Sequence, residues 1–397
     1  MKEPALDIDF SALTLQYPIN LLPEQQLDSL REQYVSKTVE RLRTWLTNSL
    51  TKDATDWQRP TAPELDGSSY YFTGLPVLVM TPLNEMIGKG NLLNFLGRAV
   101  RERFLVKCVD QMSFFVGEYD AKLKEYHVAY LQDRSRFRFY IEYMLANANN
   151  AVVIADSFIS VMMEELTEEV QLKGRLQSEV NLLKNQFGVV ADHCRLAAEE
   201  TILIDLSNVM KNVMTPQWLR PDDITANCFS GTLADYDETL RHLRPSLYKS
   251  LVDRLAENVL LEYMKVLLTR RCVFKSDSER RQAGEKIIND GQALKTYFED
   301  SMNVENEVIV AFGALFVVAQ FFLTTDSSML SLDVANLIRE FPDVRADQIY
   351  SLLMARGDLR ANVAKELAAD DPHQPESKLK RSPLSLFTKL SEATRHS

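Results

Sequence analysis

Cysteine, histidine and glycine are all scarce in this chain. Its 397 residues hold four cysteines, five histidines and thirteen glycines. Cys108, Cys194, Cys228 and Cys272 lie far apart, so no zinc spacing exists and no disulfide framework is implied; a reducing compartment fits this usage. His127, His193, His242, His373 and His396 form no metal-ligand pattern. His193 and Cys194 are neighbours on an expected helix, where successive side chains diverge, so they do not meet as base and nucleophile. Gly88-Lys89-Gly90 lacks the intervening positions, the Lys-Ser/Thr end and the preceding strand of a phosphate loop. Glu164, Glu165, Glu168 and Glu169 have no turn glycine among them and read as a solvated helix face. Succession of β-type alternation is missing too. The longest apolar stretch, Ile309 to Leu323, contains Gln320 and is short for a membrane span; it is expected to be a buried helix. The opening MKEPALDIDF has no charged-then-apolar order of a signal peptide. Together these absences predict a protein that is not an enzyme and has no cofactor and no metal.

What is present is helical periodicity. The clearest case is residues 246–298. Leu247, Leu251, Leu255 and Val259 recur four apart, and Val252, Leu260, Tyr263 and Leu267 widen the stripe. The pattern breaks at residues 270–275. Ser276 and Glu279 then have the spacing of a capping box, and Ala283, Ile287, Gly291, Leu294 and Phe298 mark the inward face of a second helix. The same reasoning predicts helices from about Pro23 to Lys52, Leu92 to Glu118, Ala121 to Leu131, Phe137 to Glu165 and Val170 to Lys211. Asn147, Asn149 and Asn150 predict a bend or a break in the Phe137 helix, because asparagine weakens a helix interior. Pro82 is expected to kink or interrupt the apolar stretch Leu75 to Ile87. Residues 53–69 read as a loop pinned to the core by Trp57. Toward the end, helices are expected over Val304 to Leu323, Leu330 to Phe341, Ala346 to Ala355 and Asp358 to Ala369, and Leu384, Leu386, Phe387 and Leu390 as a short docked amphipathic piece.

The fold class expected is therefore all-α, an elongated rod of consecutive antiparallel helical bundles. The organisation expected is an irregular arm over 1–24, a first bundle over 25–220, a second over 221–369 and a polar tail over 370–397, with Thr215 to Pro221 as the joint. The net charge of -11 argues against nucleic acid as a partner but leaves room for local basic patches. The main candidate surface, for a protein partner or acidic lipid, is Lys265, Arg270, Arg271, Lys275, Arg280 and Arg281. Secondary candidates are Arg98 and Arg101, with Arg103 and Lys107 beside them, and Arg134, Arg136 and Arg138. Each cluster also has a plainer reading as ordinary charge near helix ends.

Several blocks resemble one known family. Arg271-Cys272-Val273-Phe274-Lys275-Ser276 with Glu279-Arg280-Arg281 and Gly284-Glu285-Lys286 resembles the C-terminal half of the Sec6 family of exocyst subunits. So do Trp45-Leu46, Asp56-Trp57, Asp66-Gly67, Tyr71 and Leu75-Pro76, and so does Leu332-Asp333-Val334 with Phe341-Pro342-Asp343-Val344-Arg345 and Ala355-Arg356-Gly357-Asp358. The blocks keep their order over residues 30–365. The resemblance implies stacked helical bundles and a non-enzymatic part in holding secretory vesicles at the plasma membrane, in a cytoplasmic protein recruited peripherally to that membrane. It implies other exocyst subunits and SNARE proteins as partners. An alternative it also implies is a paralogue acting in membrane protrusion, with Ral- or Rho-type small GTPases and phosphoinositide membrane as partners. Family members carry a further N-terminal coiled-coil region, so Met1 is expected to begin a fragment.

Overall fold

The computed structural model describes residues 22–87, 97–165, 170–220, 223–269, 274, 276–369 and 385–395. Among them the order is α1 (Glu24–Asp56), a short ribbon β1 (Glu64–Leu65) and β2 (Tyr71–Phe72), then α2 (Leu75–Ile87), α3 (Arg98–Gln132), α4 (Tyr140–Glu165) and α5 (Val170–Met210). There follow α6 (Thr225–Leu240), α7 (Pro245–Leu268), α8 (Asp277–Thr296), α9 (Asn306–Ala311), α10 (Gly313–Leu323), α11 (Leu330–Glu340), α12 (Ala346–Ala355), α13 (Ala361–Ala369) and α14 (Leu386–Arg395). The all-α expectation holds. The single ribbon pairs Glu64 with Phe72 and Leu65 with Tyr71, antiparallel, inside the stretch expected as a loop.

The chain gathers into two compact units. One takes Met1–Ala54, Gly74–Ala121 and Val153–Phe187; the other takes Thr55–Thr73, Lys122–Val152 and Gly188–Ser397. In the first, Leu42, Leu46, Val79, Phe104, Met112, Phe115, Phe158 and Phe187 are buried. Of the kink or interruption expected at Pro82, the interruption does not occur. A proline has no N–H for the carbonyl four residues back. Here that carbonyl belongs to Leu78, and the Trp45 indole N–H donates to it at 2.8 Å. A neighbouring helix thus replaces the missing intrahelical donor.

The second unit begins around aromatic rings. Trp57 is buried as expected, its carbonyl accepts from the Tyr126 hydroxyl at 2.9 Å, and Tyr130 stacks on Tyr140 at 3.7 Å. The asparagines do not break α4, which runs on through them. Asn147 bonds Tyr143 O one turn back in the same helix, and the other two have tertiary reasons to be there. The Asn149 amide donates to the carbonyls of Tyr71 at 2.9 Å and His242 at 3.0 Å, and its oxygen accepts from Arg244 N at 3.0 Å. Asn150 donates to Thr73 Oγ1 at 2.7 Å. Asn149 thus ties backbone groups of Tyr71, His242 and Arg244 to α4, and Asn150 ties the Thr73 side chain to it. Two expected helices, ending at Glu118 and starting at Ala121, are one continuous α3. Conversely, the expected Val304–Leu323 helix starts later and divides at Phe312 into α9 and α10.

The helical hairpin reads as expected. Leu251, Leu255, Val259, Tyr263 and Leu267 of α7 are buried, as are Ala283, Ile287, Leu294 and Phe298 after the corner. Ser276 caps α8, its side chain accepting from Glu279 N. Two segments, Tyr140–Glu165 and Asn306–Leu323, are long and apolar enough to cross a membrane by length and composition alone. Their most apolar windows are 61% and 56% buried inside the protein, which is how core helices behave. The amphipathic tail docks through Leu386, Phe387 and Leu390, all buried; Leu384 lies outside the described residues.

Candidate interaction surfaces

Charge at the α7–α8 corner is distributed unevenly. Arg270, Arg271 and Lys275 lie outside the described residues. Lys265, in the last turn of α7, stands 3.6 Å from Glu262 one turn earlier. Phe274 is fully buried and meets Phe322 edge-on, so it anchors the corner. Arg280 turns inward: it is 5% exposed and pairs with Asp277 and, at 3.5 Å, with Asp358. Arg281 turns outward, its side chain 72% exposed, with Glu285 at 3.5 Å. The structure thus separates Arg280 from Arg281, which the sequence pattern placed together.

Arg280 belongs to a buried clamp. Arg356 is fully buried, and its guanidinium makes a fork onto Asp358 at 3.0 and 2.7 Å. It also donates to Thr324 O at 2.9 Å and to Phe321 O. Burial alone would push the Asp358 carboxyl up, but the hydrogen bonds from Arg356 and the charges of Arg356 and Arg280 outweigh it and hold the carboxyl below its ordinary value. The clamp ties the end of α12 to the end of α10 and the start of α8.

In the secondary clusters, Arg98, Arg101, Arg103 and Arg134 pair with acids of the same unit. Arg98 meets Glu102 at 2.9 Å, Arg103 meets Glu32 at 3.7 Å, and Arg101 bonds Glu165. Arg134 forks onto Asp205 at 2.7 and 3.2 Å and donates to the Tyr130 hydroxyl at 2.8 Å, while Tyr236 donates to the same Asp205. The hydrogen bond that Arg134 donates to Asp205 is the largest cause that raises the Arg134 pKa. Arg136 donates to Gln58 at 2.8 Å, and the Arg138 guanidinium lies 5.4 Å from the Phe139 ring. Exposed pairs of this kind add little stability, but they neutralise much of the positive charge that periodicity alone suggests.

An apolar groove of about 560 Å³ runs between α5 and α7, and the sequence reading missed it. Its walls include Leu196, Leu203, Ile204, Met210 and Val266, with Glu262 at the edge. A signal existed: Val189, Leu196, Leu203 and Met210 repeat every seven residues beside the core stripe of Val190, Cys194 and Ala197. Val189 and Leu196 remain exposed. Two stripes on one helix mean a core face and a second apolar face.

Deep in the same unit, Asp290 of α8 accepts from the Trp218 indole at 2.9 Å and the Tyr263 hydroxyl at 2.7 Å. Burial pushes its carboxyl up to about 6, against the lowering effect of both hydrogen bonds. A group whose pKa is raised on folding stabilises the fold fully below its unfolded pKa, and that stability is lost as pH rises through the folded value. The shift from 3.8 to about 6 is equivalent to roughly 3 kcal/mol. Asp290→Asn keeps an acceptor for the indole and cannot ionise. Its stability advantage over the unmodified chain should therefore grow between pH 4 and pH 7, measured by urea unfolding at both. An equal difference at the two pH values contradicts this reading.

Among the described residues, no group of three or more His, Cys, Asp or Glu is placed to hold a metal ion. Cys108 and Cys194 are buried and form no disulfide, and burial pushes the Cys108 thiol well up, away from reactivity. The arrangement offers surfaces and grooves.

The family model for exocyst complex component Sec6 matches residues 5–361. An exocyst complex component 3-like protein from Danio rerio is 24% identical over 369 residues, covering 92% of this chain and 46% of that protein. This chain spans about half the length of the curated relatives it matches. Its fold is similar to the crystal structure of the C-terminal domain of the exocyst subunit Sec6p, with a TM-score of 0.70, 14% identity and coverage of 95% of this chain and 94% of that one. It is also similar to the crystal structure of M-Sec, with a TM-score of 0.60, 18% identity and coverage of 97% and 62%.

Proposed function

This chain belongs to the Sec6 family, and from that premise we propose that it acts as a non-enzymatic subunit of the vesicle-tethering exocyst. In this role it holds secretory vesicles at the plasma membrane through protein–protein contacts, from the cytoplasmic side. The observation that carries the proposal is the family match over residues 5–361, in a chain whose described residues are helices throughout except one short ribbon. Helix bundles suit this work. Their rigid faces present surfaces at little ordering cost, and a few apolar anchors with complementary charge select the partner. The α5–α7 groove is such an apolar surface. Other exocyst subunits are the primary partners in this reading, and SNARE proteins are further ones.

A second reading, as a phosphoinositide-binding or small-GTPase effector paralogue, draws support from exposed Arg281 at the corner. Vesicle flotation and binding assays separate the two. Under the tethering reading, purified chain binds recombinant exocyst subunits without phosphoinositide, and the double variant Arg270→Glu with Arg271→Glu tests the lipid reading. Flotation with phosphoinositide vesicles that the same double variant abolishes would establish the second reading instead. Failure to bind any exocyst subunit contradicts the first.

A further inference from the structure

The last helix, α14, sits on a seat formed by α7, α12 and the turn at residues 341–345. Leu386 and Phe387 are fully buried there, Leu390 nearly so, and Phe387 meets Phe341 edge-on at 5.7 Å. The polar contacts read backbone as much as side chain. Asp343 accepts from Thr388 N at 2.9 Å, at the open end of the helix. The Gln348 amide donates to Phe387 O at 3.0 Å and to Ser391 Oγ at 3.2 Å. That amide is set in advance, because its oxygen accepts from Arg345 N at 3.0 Å as the capping box of α12. Lys389 pairs with Glu257 on α7.

We propose that this seat is a docking site for a short amphipathic helix carrying apolar residues at i, i+1 and i+4 and a base at i+3, held in cis by α14 and open to such a helix from a partner protein when α14 leaves. Three observations point this way. First, α14 has ten residues, too few for a helix to be stable by itself, so the seat supplies its order. Burial of three anchors is of the same size as the entropy lost in ordering ten residues, so departure is accessible. Second, the fit is incomplete. Asp343 Oδ1 is buried with no hydrogen-bond partner, so a helix bringing a further donor there would bind better than α14 does. Third, the walls lie inside the family match, which ends at residue 361, and α14 lies beyond it. The seat's walls thus fall within the family match and its occupant falls outside the matched range. The proposal does not rest on the tethering reading.

The test uses the whole chain and a fluorescein-labelled peptide of residues 382–397. Phe387→Asp in the chain expels α14. A site occupied in cis shows a weakened affinity in trans by the fraction of time it is free. The peptide should therefore bind the F387D chain at least about tenfold more tightly than the unmodified chain, and a peptide carrying F387D should bind neither. Equal affinity for both chains, or binding to neither while circular dichroism shows both folded, overturns the proposal. If F387D prevents folding, Lys389→Glu is used instead. It sets a like charge against Glu257 and keeps all three anchors, and it should give the same order of affinities at a smaller ratio. No difference between K389E and the unmodified chain then overturns the proposal.

Discussion

Gly284→Val should destabilise the protein by at least about 3 kcal/mol, at the upper end of overpacking effects. An added Cβ at Gly284 would lie 2.7 Å from Leu323 Cγ, 2.8 Å from Leu323 Cδ2 and 3.1 Å from Ala319 O. The first two contacts are far inside van der Waals distance, and the third involves backbone that cannot swing aside. Gly291, seven residues further along the same face of α8, meets Leu315 Cδ1 at 3.1 Å and Leu315 Cβ at 3.2 Å. Two glycines two turns apart thus let α8 and α10 pack backbone to backbone. Valine brings two further methyl groups into that seam, so the helices must separate. Gly291→Ala, with a looser clash, should cost less. Urea midpoints for the two variants check the order. A G284V protein as stable as the unmodified chain would mean that α8 and α10 do not approach so closely.

Arg356→Ala should cost about 3–5 kcal/mol, the range for removing one partner of a buried ion pair. The substitution leaves Asp358 facing only Arg280, and it strips the carbonyls of Phe321 and Thr324 of their donor. Arg356→Lys should recover little of this. An ammonium cannot reproduce the fork onto Asp358 while also reaching two carbonyls. The loss should be larger at pH 7 than near pH 3. The Asp358 carboxyl is held below its ordinary value, so its stabilisation is present above the unfolded pKa and fades as pH falls through the folded one. Denaturant unfolding of R356A and R356K at both pH values measures it. A cost below about 1 kcal/mol for R356A would contradict the clamp.

The parts of the fold that local periodicity specifies were legible in advance. The α7–α8 hairpin is the clearest, because its apolar stripes and the Ser276 cap are set by residues within one or two turns. What was misread depends on residues far apart in sequence. Pro82 signals an interruption unless Trp45 is known to reach Leu78 O. Asn149 signals weakness in a helix unless the carbonyls of Tyr71 and His242 are known to need its amide. Arg280 and Arg281 look alike in sequence, yet one is buried against Asp358 and the other is in solvent. Which arginine faces outward is decided by an acid 78 positions away from Arg280, and no pattern within the helix records it. The α5–α7 groove was legible in principle, as a second apolar stripe on α5, but such a stripe shows only that something covers it.

Under the proposed function this chain works by gripping exocyst subunits. Affinity capture of the chain from secreting cells, with chemical cross-linking and mass spectrometry, tests it most directly. The account predicts several exocyst subunits in the capture, cross-linked to lysines of this chain, with G284V and R356A captures depleted of them. A well-folded chain that recovers none of those subunits would contradict it.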